Sequence, residues 1–184
     1  MEFERRDEDN SRVLTLTGTV DENSTSSIIE RIREWNKEDD KEEAKLKKYT
    51  RPVIEILIDS YGGQLYSGLG LASVIGQSKT PIHTICTSKA MSAGLIILIA
   101  GHKRFCYPLS YMMYHQLSAM AVGTMQDMED GVNLYKKLQK VVEKFVTDHT
   151  KINKYKLKEI KSLKKDFYID SKKAVKLGII DEVL

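Results

Sequence analysis

The chain has 184 residues, 29 basic against 26 acidic for a formal charge of +3, which suits one domain (1–184) able to bury a sizeable core. The charged start MEFERRDEDN excludes a secretory signal. The longest apolar run, GLIILIAG, is far short of the roughly 20 residues of a membrane span, so a soluble, cytoplasmic protein is expected. Two cysteines, Cys86 and Cys106, show no metal-binding spacing and read as buried thiols. The lysine-rich runs KKLQKVVEKF and NKYKLKEIKSLKKD alternate with apolar residues at helical spacing, the pattern of solvated helix faces rather than of a nucleic-acid surface.

In chain order, Arg12–Gly18 (RVLTLTG) alternates as a strand. Thr25–Trp35 follows cap-forming residues and sets Ile28, Ile29, Ile32 and Trp35 on one helix face. Lys37–Arg51 is almost wholly charged, a solvated loop or helix extension with no chemistry assigned to it. Pro52 opens the β-branched strand Val53–Ile58, which runs into Asp59-Ser60-Tyr61-Gly62-Gly63 and a helix over Leu65–Ile75. A strand at Ile82–Cys86, a tight turn carrying Ser92 and a buried helix follow. This is the rhythm of βαβ units with parallel strands. Beyond lie short strands at Lys103–Tyr107 and Ser110–Tyr114. A long helix from Thr124 to His149 places Leu134, Leu138, Val141, Val142 and Phe145 on one side. Helices at Asn153–Leu163 and Ser171–Leu177 and a last strand, Ile179–Leu184, complete the chain.

Ser92 lies among small residues (AMSAG) between a strand and a helix start, where free N–H groups stabilise negative charge and a substrate approaches closely. Gly62-Gly63 after a strand lacks both the P-loop and the dinucleotide-binding patterns. It is either a plain tight turn or the donor of an oxyanion hole at the C-terminal edge of a parallel sheet. His115 ends an apolar strand, where a general base would be aimed at a nucleophile. His83, His102 and His149 read as structural. Asp166 is the best candidate for the third member of a triad, although its neighbouring residues read first as those of an ordinary helix-end carboxylate, and Asp170 reads as an N-cap.

The stretches Leu14–Gly18, Ile58–Gly63, Ala90–Gly94, Lys103–Pro108, Met113–Gln116 and Ala174–Leu184, in this order, resemble the proteolytic subunits of the Clp protease, the caseinolytic serine peptidases. The resemblance implies a crotonase-like (Clp-protease-like) α/β fold of repeated ββα units, with a protruding helical handle over Leu117–His149. It implies a serine endopeptidase with Ser92 as nucleophile, His115 as base and Asp166 as orienting carboxylate. Gly63 and Ala93 would be the oxyanion donors. Gly62, Gln64, Leu65, Leu117 and Ser118 would hold an extended polypeptide substrate. No cofactor or metal is implied. The implied partners are copies of the chain in stacked, heptameric rings and an unfoldase ATPase of the AAA+ class, with no nucleic acid and no membrane. In such rings Met120, Val122, Met125 and Met128 of the handle would be covered by the facing ring.

Some features set this chain apart from the family pattern. Only about a dozen charged residues precede the first strand, where the family carries a longer, partly apolar segment. Leu117 stands where the family commonly has proline, Lys37–Arg51 reads as an insertion, and Lys164 and Lys165 are placed to pair with Asp166. The rival readings are a silent ring subunit, an acyl-CoA enzyme of the crotonase fold, an ATPase-independent processing peptidase such as one acting on a phage head protein, and a Ser92–Lys89 dyad.

Overall fold

A computed structural model of the chain describes residues 12–120 and 122–184. The charged N-terminal stretch, and the comparison of its length with the family's segment, lie outside them. Strand β1 (Val13–Val20) leads into helix α1 (Glu22–Lys45), then β2 (Ile54–Gly63), α2 (Leu65–Gln77), β3 (Ile82–Met91) and α3 (Ala93–Ile99). Next come β4 (Lys103–Cys106), β5 (Tyr111–Tyr114), α4 (Met125–His149), α5 (Lys154–Leu163), β6 (Phe167–Asp170), α6 (Ser171–Lys176) and β7 (Glu182–Val183).

The strands form a mostly parallel sheet in the order β1-β2-β3-β4-β7, with β5 continuing beside the end of β3 and β6 antiparallel to β5. This is the α/β architecture expected from the alternating strand and helix signals. Ile54, Ile56 and Ile58 of β2 are fully buried, as is the apolar run of α3, so the sheet and that helix make the centre of the core. Burying one such side chain contributes about 2 kcal/mol relative to leaving it in water.

Several expected boundaries shift, each for a local reason. The strands β2 and β3 continue past the apolar runs to Gly63 and Met91, because parallel pairing carries the polar residues too: Ser60 pairs with Ala90. Helix α1 continues through much of the charged stretch to Lys45, capped by Asp21, whose carboxylate accepts the Ser24 N–H. The stretch is not wholly solvated. Asp39 lies one turn beyond Trp35 on the buried face and is closed off from solvent. It accepts two hydrogen bonds from the Arg12 guanidinium and one each from the Tyr49 and Thr80 hydroxyls. A short strand that periodicity did not suggest, β6, forms because Phe167–Asp170 finds a partner in β5. The final strand shrinks to Glu182–Val183, since Ile179 and Ile180 close the α6 turn against Ala174.

The inward face of α4 also differs from the expected one. Leu134 and Val141 are exposed, whereas Gln139, Val142 and Val146 are buried. A buried glutamine disguises the face in a hydropathy reading. The C-terminal half of α4 rests on the core, and its N-terminal half stands clear with Met120, Val122 and Met125 exposed.

Candidate active site

Three parallel strands end side by side. The C-terminal residues of β2, β3 and β5 bring Gly62-Gly63, Ser92 and His115 to one edge of the sheet, where such folds place their chemistry. Ser92 is the N-cap of α3 and has φ 52° and ψ −119°, a region that side chains other than glycine enter at a cost of about 1–3 kcal/mol. Its N–H donates to the Met113 carbonyl at 2.9 Å, which holds the turn against β5. The turn lifts the hydroxyl off the helix axis toward His115, and Ser92 Oγ lies 2.8 Å from His115 Nε2. A serine hydroxyl and a half-buried imidazole are thus in hydrogen-bond contact across 23 residues of sequence.

The glycines are required by space as well as by torsion. Gly62 has φ +100°, and a Cβ there would lie 2.7 Å from the Met91 carbonyl and 2.8 Å from Ser92 Cβ. A Cβ on Gly63 would run into the Val20 carbonyl of β1. The buried Ser60 hydroxyl donates to the Gly18 carbonyl and accepts the Gly62 N–H, which fixes the loop. Ala93 is the first residue of α3, so its N–H has no intrahelical acceptor, and it lies against Gly62.

These groups open onto a cleft of about 360 Å³, walled by Gly63, Gln64, Leu65, Ser92, Ala93, His115, Leu117 and Ser118, with Tyr135, Leu138 and Val142 of α4 closing one side. Gly62 is not one of its walls; it sits behind, against Ser92. Two backbone donors on the rim are already spent. The Gln64 N–H goes to the Val20 carbonyl at 2.7 Å, and the Leu117 N–H goes to Gln139 Oε1 at 2.9 Å. Leu138 and Val142 stood on the helix face expected from the sequence, but their place in the cleft wall, Tyr135 and Gln139 escaped that reading. The one available signal was the recurrence of Tyr135, Leu138 and Val142 at helical spacing.

Asp166 is not joined to the pair. Its carboxylate is exposed and accepts a 3.4 Å hydrogen bond from the Tyr168 hydroxyl, and no hydrogen bond joins it to His115 among the described residues. The backbone ladder stops one residue short of Asp166. The antiparallel ladder between β5 and β6 ends at Tyr114 opposite Phe167, so one further step sets His115 opposite Asp166. The ladder stops there because Lys164 caps α5 in a left-handed conformation, φ 48° and ψ 41°, and turns the chain just before Asp166. Lys164 and Lys165 form no ion pair with Asp166 among the described residues.

Lys89 is engaged elsewhere. Its ammonium is bonded to Asp59 and lies 4.5 Å from the centre of the Tyr61 ring. The Asp59 hydrogen bond holds it above the ordinary lysine range, so it stays a cation and is a poor proton acceptor for Ser92. His102 accepts the Ile82 N–H, and His149 stacks on Phe145 at the end of α4. Both are structural, as expected. Asp170 caps α6 by accepting the Lys173 N–H.

Fold and site together define an α/β protein that presents a serine–histidine pair at the C-terminal edge of a mostly parallel sheet. The chain belongs to the Clp protease family, whose profile matches residues 7–184. It is 33% identical over 133 residues to an ATP-dependent Clp protease proteolytic subunit of Deinococcus radiodurans, covering 71% of this chain and 64% of that one. Two proteins of the same name, from Carsonella ruddii and Streptococcus mutans, are 29% identical over 175 and 178 residues, each alignment covering 94% of this chain and 84% of the relative. The family is one of peptidases. No helix among the described residues is long and apolar enough to cross a membrane.

Proposed function

We propose that this chain is a serine endopeptidase that cleaves unfolded polypeptides inside a chamber built from copies of itself. The observation that carries the reading is the 2.8 Å contact between Ser92 Oγ and His115 Nε2 at a strained turn that opens into the cleft. His115 takes the Ser92 proton as the hydroxyl attacks the peptide carbonyl. The N–H groups of Gly63 and Ala93 receive the oxyanion, His115 returns the proton to the leaving amine, and water then hydrolyses the acyl-enzyme. When Nε2 accepts, Nδ1 carries the hydrogen. Asp166 receives it once β5 and β6 pair by one further residue. Main-chain groups of Gly63, Ser118 and Ala119 hold the substrate as an added strand, which makes few demands on its sequence. Stacked heptameric rings, a cytoplasmic setting and feeding by an unfoldase belong to the same reading.

The displaced Asp166 favours one second reading, a silent ring subunit. Intact-mass measurement after fluorophosphonate treatment, with native mass on the same samples, separates the two. The active peptidase gains one adduct, lost in Ser92→Ala and slowed about a thousandfold or more in His115→Ala. Asp166→Asn then slows labelling by at least tenfold. No adduct on an assembled wild-type ring would sink the peptidase reading and leave the structural subunit.

A further inference from the structure

Gln139 is the one side chain on the inward face of α4 that hydropathy would not choose, and it is 94% buried, with a relative exposure of 6%. All of its polar groups are used. Its Oε1 accepts the Leu117 N–H at 2.9 Å, and its Nε2 donates to the Tyr114 hydroxyl at 3.2 Å and to Glu143 Oε1 at 3.0 Å. The orientation of the amide is fixed by chemistry, because a backbone N–H can only donate and must face the oxygen.

The partners matter because of where they lie. Tyr114 precedes His115, and Leu117 follows it by two residues, so one amide grips the chain on both sides of the imidazole. Tyr114 is itself buried, and burial pushes its hydroxyl up to about 12, so it stays a neutral partner across the working pH range. Leu117 has an N–H that a proline there would lack, and Gln139 is the group that satisfies it. Glu143 Oε1 also receives Lys161 Nζ at 3.3 Å, which ties the cluster to α5, the helix that runs on toward Asp166.

We infer that Gln139 is a positioning residue of the peptidase site, holding His115 against Ser92 and fixing the Leu117 rim of the cleft through its bonds to Tyr114 and Leu117. The inference rests on the peptidase reading above. Without the amide, the segment from Tyr114 to Leu117 keeps its packing but loses both of its fixed points on α4. The imidazole then samples orientations in which it does not meet the serine hydroxyl, and loss of even a fraction of an ångström in such a pair slows the reaction. A residue that served packing alone would be replaceable by an apolar side chain of the same size.

The test uses the assembled full-length chain and measures the rate of fluorophosphonate labelling against pH, with native mass and thermal melting on each sample. Gln139→Met preserves volume and removes all three bonds; it is expected to slow labelling at least tenfold in a folded chain of unchanged native mass. Gln139→Glu keeps an acceptor for Leu117 but sets a second carboxyl beside Glu143. Its rate relative to wild type is therefore expected to fall as pH rises and the two carboxyls ionise, a signature that packing does not produce. Leu117→Pro removes the donor outright, so adding Gln139→Met to it is expected to slow labelling less than the same change does in wild type. Equal labelling of Gln139→Met and wild type, or the same fold loss in both backgrounds, would overturn the inference and leave the peptidase reading intact. If Gln139→Met does not fold, the pH profile of Gln139→Glu decides, and a ratio flat with pH counts against the inference. A wild-type chain that takes no label overturns both readings together.

Discussion

At Ser92 the fold accepts strain in order to expose a hydroxyl. The residue sits at φ 52° although it has a side chain, and its neighbours make that tolerable: Met113 accepts its N–H, and Gly62 leaves the space that a larger residue would fill. Gly62 is therefore the most sensitive position of the site that takes no part in the chemistry. In Gly62→Ala the new methyl group meets the Met91 carbonyl, Ser92 Cβ and the Ala93 nitrogen, all within 3.0 Å. It also imposes φ +100° on a residue that resists it. The expected outcome is loss of about 2 kcal/mol of stability by chemical denaturation and at least a hundredfold slower fluorophosphonate labelling. Retention of the wild-type labelling rate would show that the Gly62 turn does not shape the nucleophile.

Among the elements, α1 carries a buried polar cluster outside the site. Burial alone would push the Asp39 carboxyl up, but hydrogen bonds from Arg12, Thr80 and Tyr49 outweigh it and hold the group below its ordinary value. A carboxyl depressed in the folded chain stabilises it above the unfolded value and ceases to do so as pH falls through the folded one. The contribution is complete at neutral pH and is lost progressively as pH falls below about 4 toward the lower folded value. Asp39→Asn takes from the largely buried Arg12 guanidinium its close, doubly bonded carboxylate and leaves only the exposed Glu38 at 4.0 Å, so it should lose about 3 kcal/mol at pH 7, a fall in Tm of roughly 6–12 °C. On acidification the gap between variant and wild type narrows. A variant as stable as wild type at pH 7 would mean that the cluster is replaceable.

The same helix shows what could be read beforehand. The apolar stripe Ile28, Ile32 and Trp35 was legible and is buried, because burial of such side chains is driven by their own composition. The continuation through Asp39 was not legible, because what buries a carboxylate is a set of donors 10, 27 and 41 residues away in sequence. Gln139 hid for the same reason. Ser92, His115 and Gly62-Gly63 were legible because their spacing repeats a family pattern. Their contact and the reach of Asp166 are matters of register and torsion, which residue types do not encode one by one.

For the whole molecule, the half of α4 that stands off the core is the feature an isolated chain does not explain. Met125 is 73% exposed and Val132 46% exposed on a helix whose other end is well buried. Apolar surface of this kind calls for a partner, and in the proposed assembly the facing ring supplies it. Met125→Glu combined with Val132→Glu should halve the native mass from the double to the single ring while leaving the fold of each subunit intact by circular dichroism. An unchanged native mass would place the ring–ring contact elsewhere.

Strand β5 is only four residues long, yet its neighbourhood gathers the acceptor for the Ser92 N–H, the imidazole, the Tyr114 anchor to α4 and the ladder that leads to Asp166. In the proposed mechanism, the support of the nucleophile and the base hang on one short strand between the parallel sheet and β6. In the proposed site, a change in the position of β5 would therefore be felt at the Ser92 turn and at the imidazole together, because the Met113 carbonyl and His115 are two residues apart on one strand end.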